Sequence, residues 1–180
     1  VEKDMVYRLS EDAAALTHGH PSALHSAAVF STLIHDLLDP AASLQGAAGA
    51  ALERAEVSGV PELAQRLASA VSLAESGPVP PEELTAALGE GWVAEEALAI
   101  GLYAALATAS AATPEEHFRA ALALAVNHDG DSDSTGSITG NILGTLYGTE
   151  ALPDQWLAAL EGRSVVEEMA RQFTAATTAG

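Results

Sequence analysis

A short polar stretch in the last third of the chain, DGDSDST, places aspartates at every second position: Asp129, Asp131 and Asp133. The residues that follow, Ser134 and Thr135, add hydroxyl oxygens. Oxygen ligands packed this closely suit a hard divalent cation such as Mg²⁺, Mn²⁺ or Ca²⁺. They equally suit a solvated loop that leads into a helix capped by Asp133. The spacing by itself leaves both interpretations open.

Two familiar acidic motifs do not fit this stretch. An EF-hand loop beginning at Asp129 would need glycine at its sixth position and glutamate at its twelfth, where this chain has Ser134 and Gly140. The sequence DSDST also resembles the DxDxT nucleophile motif of haloacid-dehalogenase-like phosphatases. That motif follows a hydrophobic strand near the start of an α/β domain, whereas this stretch lies late in a chain of helical periodicity. A calcium-stabilised helical domain stays open as an interpretation of the acidic residues alone.

Glycines recur every four residues directly after the acidic stretch, at Gly136, Gly140, Gly144 and Gly148. On a helix this spacing forms one bare ridge along which another helix can approach closely. Each glycine costs a helix about 1 kcal/mol relative to alanine, so four on one face indicate a geometric requirement. The pattern predicts a central, tightly surrounded helix with the acidic residues at its N-terminal end. Helix packing alone would also account for the glycines.

The elements that must position these residues are helices. Apolar residues recur at three- and four-residue spacing without an alternating strand pattern, which predicts one all-α domain over residues 1–180. His20 is placed to cap the second helix, and Thr113 with Glu116 forms a capping box at the seventh. The predicted helices span residues 7–17, 21–39, 42–56, 61–76, 81–89, 91–110, 114–127, 134–147, 153–162 and 164–177.

Composition narrows the classes of function. The formal net charge is −18, from 25 acidic and 7 basic residues, which argues against nucleic acid and anionic membranes as partners. The chain contains no cysteine, so thiolate metal sites and cysteine nucleophiles are excluded. No apolar segment reaches the roughly twenty residues that cross a bilayer, and the first residues lack a signal-peptide core. We therefore expect a cytoplasmic protein with oxygen or imidazole chemistry.

The stretch DGDSDSTGSITGNILGTLYG resembles the signature of the ADP-ribosylglycohydrolase family, a glycine followed by Asp-x-Asp-Thr or -Ser and a glycine-rich helix. Two further stretches match that family in the same order, LTHGHPSA from Leu16 and GEGWVAEEALAIGLYAAL from Gly89. The segment LPDQWLAALEG is also similar to the one that usually follows the glycine-rich helix. Three ordered motifs are much more specific than any one of them.

The resemblance implies a compact orthogonal helical bundle that uses two Mg²⁺ ions, or Mn²⁺. Such an enzyme hydrolyses the glycosidic bond between ADP-ribose and an acceptor, often an arginine side chain. Asp131, Asp133 and Ser134 correspond to metal ligands, which makes the two aspartates the catalytic carboxylates. Ser134 replaces the commoner threonine and keeps the hydroxyl oxygen. Asp129 lies where the family more often has a small residue, and we leave it out of the ligand set.

The same resemblance assigns two residues to substrate binding. His18 corresponds to a histidine that contacts ADP-ribose, and Trp92 borders the adenine-side pocket, where an indole could stack on the base. Without the family, His18 would be read as a satisfied turn histidine and Trp92 as a core residue at a helix start. The other helical histidines singled out are interpreted as structural: His25, His35 and His117.

The family's remaining metal ligands lie in a glutamate-containing segment and a Ser/Thr-Asp-Asp motif, neither of which this chain has. The resemblance is therefore to the C-terminal part of the family's domain. Mg²⁺ prefers six oxygens and dehydrates reluctantly, so we expect weak or single-ion binding and no activity from the isolated chain. In the complete enzyme the two ions would lie about 4 Å apart.

The partners expected on this basis are an ADP-ribosylated protein or a small molecule containing ADP-ribose, and a complementary N-terminal fragment that would complete the metal site. A non-catalytic relative is the alternative, either an ADP-ribose-binding module or a structural protein like the crystallin recruited from this family. The presence of the missing ligands elsewhere in the gene would discriminate between the enzyme and the non-catalytic relative.

Overall fold

The computed structural model describes residues 2–178, which form ten α-helices and a short 3₁₀ turn at Gly148–Ala151. No strand occurs among residues 2–178, so the predicted all-α class is confirmed. The helices are α1 Lys3–Ala15, α2 Pro21–Leu37, α3 Leu44–Val57, α4 Pro61–Ala74, α5 Pro81–Leu88, α6 Ala94–Ala107, α7 Pro114–Val126, α8 Ser132–Tyr147, α9 Asp154–Ala159 and α10 Arg163–Thr178.

The predicted caps begin two of these helices. The ring Nδ1 of His20 accepts a hydrogen bond from the Ser22 N–H at 3.2 Å, and Pro21 takes the first helical position of α2. At α7, the Thr113 hydroxyl oxygen accepts from the Glu116 N–H at 3.1 Å. Each side chain satisfies a backbone donor that the helix itself leaves without a partner. The His20 cap and the Thr113 half of the predicted capping box are confirmed.

The prediction that Asp133 caps the helix after the acidic stretch is wrong. Helix α8 begins two residues earlier, at Ser132, and its N-cap is Asp131. The Thr135 N–H already bonds to the Asp131 carbonyl at 3.2 Å, which closes the first turn ahead of the predicted start. Asp133 therefore lies in the first helical turn, where a negative charge is favourable but does not cap.

Helix α6 lies at the centre of the molecule, where every residue from 97 to 105 is buried. It packs against α4 and α8 most extensively and also contacts α7 and α2. At its crossing with α8, a Cβ on Gly101 would lie 2.5 Å from Cγ2 of Ile138, so only glycine allows this approach. The core around α6 is built mainly from alanine and leucine, as the composition predicts.

The predicted glycine ridge of α8 is only half correct. A Cβ on Gly136 would lie 2.8 Å from Cγ1 of Val126 in α7, and one on Gly140 would make ordinary contact with Leu122 at 3.9 Å. Gly144, by contrast, has open space around it, and Gly148 ends the helix at φ +64. Close approach thus accounts for the first glycine, ordinary packing for the second, and chain reversal for the last.

Helix α10 lies outside the core and exposes Val165, Val166, Met169 and Phe173. Among residues 2–178, no helix combines the length and apolar character that crossing a bilayer requires.

Candidate functional site

Three segments far apart in the sequence meet around one cleft of about 430 Å³. The turn between α1 and α2, the turn between α5 and α6, and the start of α8 each contribute to its wall. Four of the five predicted site residues line it: His18, Trp92, Asp131 and Ser134. Asp133 is exposed and does not belong to the lining.

A second recess of about 420 Å³ adjoins this cleft and shares His18 and Ser134 with it. Its wall is more apolar and includes Phe30 and Ile138. Ser26 also contributes to the wall, but its hydroxyl oxygen is buried and has no hydrogen-bond partner within residues 2–178. A group entering the recess could therefore bury apolar surface.

Asp131 is held in the cleft through its main chain. Its N–H donates to the Glu90 carbonyl at 2.8 Å, which joins the start of α8 to the turn before α6. The two backbones touch at Gly130, where a Cβ would lie 1.8 Å from the Glu90 oxygen. Because the backbone alone makes this junction, the Asp131 carboxylate remains available to the cleft.

The side chains around Asp131 favour its ionised form. The pKa of the Asp131 carboxyl is lowered, first by hydrogen bonding to the Asp133 carboxyl and then by the hydroxyl and N–H of Ser134. Burial opposes this effect. Asp131 makes no capping hydrogen bond of good geometry to α8. The cleft thus contains a carboxylate whose ionised form is favoured by its neighbours at the start of α8.

His128 is a functional neighbour that sequence reasoning missed. It is buried, its Nδ1 accepts from the Gly130 N–H at 3.0 Å, and its Nε2 lies 3.1 Å from the Thr135 hydroxyl. That hydroxyl donates to the Ala125 carbonyl at 2.7 Å, so it can only accept from the imidazole. The network therefore assigns a neutral ring with its proton on Nε2. A histidine just before the acidic motif was the one signal in the sequence.

Trp92 and His18 are both exposed at the rim of the cleft. Trp92 is 65 % exposed, and its indole N–H donates to the Glu90 carboxylate at 2.9 Å. The reading of Trp92 as a core residue at a helix start is therefore wrong, since α6 begins only at Ala94. His18 forms a hydrogen bond with the adjacent Thr17 hydroxyl through Nδ1 at 2.8 Å.

Glu95 is a second residue that sequence reasoning missed. Its carboxylate lines the cleft and accepts a hydrogen bond from the hydroxyl of the buried Ser22 at 2.5 Å. In the sequence it reads as an ordinary acidic residue of the first turn of α6, so its spacing carries no signal. The contact with Ser22 arises only because α2 and α6 pack together.

The three histidines that the sequence analysis interprets as structural do not line the cleft. His117 is buried and bonds to the Ala105 carbonyl at 2.7 Å and the Tyr147 hydroxyl at 2.8 Å. His25 bonds to the Tyr7 hydroxyl at 2.8 Å, and His35 lies 3.8 Å from an Asp36 carboxylate oxygen. These contacts connect helices to one another or stay within one helix, and the structural interpretation of His117 is confirmed.

The donors at the start of α8 fit Mg²⁺ in kind but not in number. Asp131, Asp133 and Ser134 present hard oxygen atoms, which Mg²⁺ prefers. Within residues 2–178, however, no three histidine, aspartate or glutamate side chains come close enough together to hold a metal ion. The described residues therefore supply one side of a coordination sphere at most.

Comparison with known proteins gives two matches. A family model described as ADP-ribosylglycohydrolase matches residues 2–180. The chain is also 38 % identical over 58 residues to ADP-ribosyl-[dinitrogen reductase] glycohydrolase of Rhodospirillum rubrum. That alignment covers 32 % of this chain and 19 % of the relative, so the match spans about a fifth of the relative's length.

Proposed function

Because the chain belongs to the ADP-ribosylglycohydrolase family, we propose that its cleft binds an ADP-ribose group and contributes to hydrolysis of the bond joining it to an acceptor. The substrate would be an ADP-ribosylated protein, with arginine as one acceptor, or a small molecule containing ADP-ribose. One observation carries the proposal: residues from three separate sequence motifs line the same cleft.

Trp92 and His18 would bind the substrate. The indole of Trp92 is exposed while its N–H is engaged by Glu90, so its orientation is restrained and its face can stack on adenine. Since Nδ1 of His18 bonds to Thr17, contact with ADP-ribose would use Nε2. Rigid aromatic and imidazole groups at a rim orient a ligand at little cost in side-chain entropy.

Asp131, Asp133 and Ser134 would hold the Mg²⁺ or Mn²⁺ ions. Bound ions would orient the ribose and polarise the bond being broken or activate water. The remaining ligands for two ions would come from a complementary N-terminal segment, since the described residues supply only part of the set. On this basis the isolated chain binds substrate but does not turn it over.

The proposal is tested by titrating the chain with ADP-ribose in a calorimeter. We expect Trp92→Ala to weaken binding about tenfold or more, because base–aromatic stacking is worth about 1–3 kcal/mol. Trp156→Ala is the matched control, since that indole packs on Phe118 and Arg119 and does not line the cleft. Equal affinity of wild type and Trp92→Ala would contradict the proposed binding role.

The proposed catalytic role is tested in an assay that contains both this chain and the complementary N-terminal segment. With that segment and Mg²⁺ present, Asp131→Ala combined with Asp133→Ala should abolish hydrolysis of an ADP-ribosylated arginine. Retention of the full rate by this double variant would overturn the assignment. Binding without hydrolysis in the reconstituted wild type would instead favour a non-catalytic ADP-ribose-binding protein. Stabilisation by Ca²⁺ with no effect of the nucleotide would favour the calcium-stabilised domain.

A further inference from the structure

The turn between α5 and α6, residues 89–92, is wrapped around a carboxylate; we name it the glycine turn. Oε2 of Glu96 accepts hydrogen bonds from the N–H groups of Glu90 and Gly91, each at 3.2 Å. Gly89 and Gly91 have φ values of +86 and +85, which an L side chain rarely adopts. A Cβ on Gly89 would also lie 2.2 Å from Cδ of Glu96. The turn therefore closes tightly on this carboxylate.

Arg66 of α4 holds the same carboxylate from the other side. Its Nη2 lies 3.2 Å from Oε1 of Glu96, and its Nη1 donates to the Ala87 carbonyl at 3.1 Å. The Glu96 side chain is 17 % exposed and that of Arg66 is 34 % exposed, so water competes less for this pair than for a fully exposed one. One guanidinium thus ties α4 to the end of α5 and to the first turn of α6.

From the glycine turn, two hydrogen bonds lead to the cleft. The carbonyl of Glu90 accepts from the Asp131 N–H at 2.8 Å, and its carboxylate accepts from the Trp92 indole at 2.9 Å. Neither Glu96 nor Arg66 lines the cleft itself. Any effect of these two residues on Asp131 and Trp92 would therefore have to pass through the glycine turn.

We propose that Glu96 and Arg66 are positioning residues that fix the glycine turn and, through Glu90, the backbone of Asp131 and the indole of Trp92. We call these contacts of Glu96 and Arg66 with the glycine turn the clasp. The importance of the clasp for catalysis rests on the proposed function. The positioning of the turn does not depend on that function, because it predicts how fast the Asp131 amide exchanges when Glu96 or Arg66 is substituted.

Amide hydrogen exchange of Glu96→Gln tests the proposal without any ligand. The variant removes the charge that two turn amides use, so we expect the Asp131 amide to exchange about tenfold faster, through local opening of the turn. Exchange at Ile142 in the middle of α8 should stay within about twofold of wild type. Glu115→Gln is the matched control, because it neutralises an exposed carboxylate paired with Arg119.

Substitution of Arg66 gives an independent test, in which a conservative variant is compared with an uncharged one. Arg66→Met removes the charge, whereas Arg66→Lys keeps it but loses the forked geometry. We expect the Asp131 amide to exchange fastest in Arg66→Met and at an intermediate rate in Arg66→Lys. Unchanged exchange at Asp131 in Glu96→Gln and Arg66→Met would overturn the proposal. A uniform acceleration that includes Ile142 would also overturn it, because it would show a general loss of stability.

A ligand titration separates this proposal from the function. A Trp156→Phe background leaves Trp92 as the remaining indole, so its fluorescence can follow the titration. In this background, Glu96→Gln should weaken ADP-ribose binding about fivefold, because the glycine turn no longer holds the cleft in its binding conformation. If wild type binds no ADP-ribose but Glu96→Gln loosens the Asp131 amide, the clasp stands and the proposed function fails. If wild type binds ADP-ribose and Glu96→Gln alters neither affinity nor exchange, the clasp fails and the function stands.

Discussion

At the scale of single residues, the main chain and the side chain of Asp131 have separate roles. Its N–H bonds to Glu90 and its carbonyl accepts from the Thr135 N–H, so the backbone connects the glycine turn to α8. Its carboxylate makes no capping hydrogen bond of good geometry, and its neighbours favour the charged form. A change confined to the carboxylate should therefore affect ligand binding more than stability.

Asp131→Asn tests this division. We expect the free energy of unfolding at neutral pH to fall by less than about 1 kcal/mol, because the lowered pKa of Asp131 shows that folding favours its charged form, while asparagine is itself a good N-cap residue. Binding of Mn²⁺ should weaken about tenfold, because hard cations depend on charged oxygen ligands. Chemical denaturation and calorimetric titration with Mn²⁺ measure the two effects. Asp129→Asn is the control, and an equal loss of Mn²⁺ affinity in that variant would contradict the choice of ligands.

Substitution of two histidines near the cleft should affect different properties, stability for His128 and ligand binding for His18. His128→Ala removes a buried ring that satisfies the Gly130 N–H and contacts Thr135, so it should cost about 2 kcal/mol of stability. His18→Ala removes an exposed ring and should change stability by less than about 0.5 kcal/mol while weakening ADP-ribose binding. Denaturation and ADP-ribose titration of both variants check this. A larger stability loss from His18→Ala than from His128→Ala would refute it.

At the scale of elements, the cleft depends on where helices begin. Sequence periodicity starts the sixth helix at residue 91, but the glycine turn and Val93 precede α6, which begins at Ala94. Periodicity starts the eighth at residue 134, whereas the contact with Glu90 and the bond from Thr135 begin α8 at Ser132. Both differences lie at the junction of the glycine turn with α8, where a packed neighbour outweighs local propensity.

Glycine substitutions test that junction. Gly130→Ala would bring a Cβ within 1.8 Å of the Glu90 carbonyl oxygen, a backbone atom that cannot rotate away. The turn and α8 must then separate, at a cost of about 2–3 kcal/mol. Gly144→Ala is the control: it has open space and lies inside α8, so it should stabilise by about 0.5–1 kcal/mol. Urea denaturation measures both, and equal destabilisation would contradict the packing described.

At the scale of the whole molecule, Tyr103 links the central helix to the loop before α5. It is fully buried, and its hydroxyl accepts from the Val79 N–H at 2.8 Å and donates to the Gly77 carbonyl at 3.1 Å. Burial, more than any other factor, raises the pKa of the phenol above its ordinary value. The fold therefore favours the protonated form of Tyr103.

This shift makes stability fall at alkaline pH. Above about pH 10 the unfolded chain loses the phenol proton while the folded protein keeps it, so stability falls until the raised pKa is passed. Below that range the contribution is fully present. Tyr103→Phe should be less stable at neutral pH by about 1 kcal/mol, through its lost hydrogen bonds, but should lose less stability on alkaline titration. Parallel alkaline losses in the two proteins, followed by denaturation across pH, would contradict this.

The sequence by itself determined the all-α class, most helix positions, the caps at His20 and Thr113, and the motifs that place the chain in its family. These features depend on contacts between residues three or four positions apart, which periodicity and capping rules describe. The roles of His18, Trp92, Asp131, Asp133 and Ser134 remain predictions.

Only the tertiary structure decided how those motifs meet. It joined Glu90 to Asp131, wrapped the glycine turn around Glu96, and placed the tight glycine contact of α6 at Gly101 while leaving Gly144 in open space. It also left Asp133 outside the cleft and brought in Glu95. Such contacts join residues tens of positions apart, and they exist only once the helices have packed, so local rules of sequence cannot specify them.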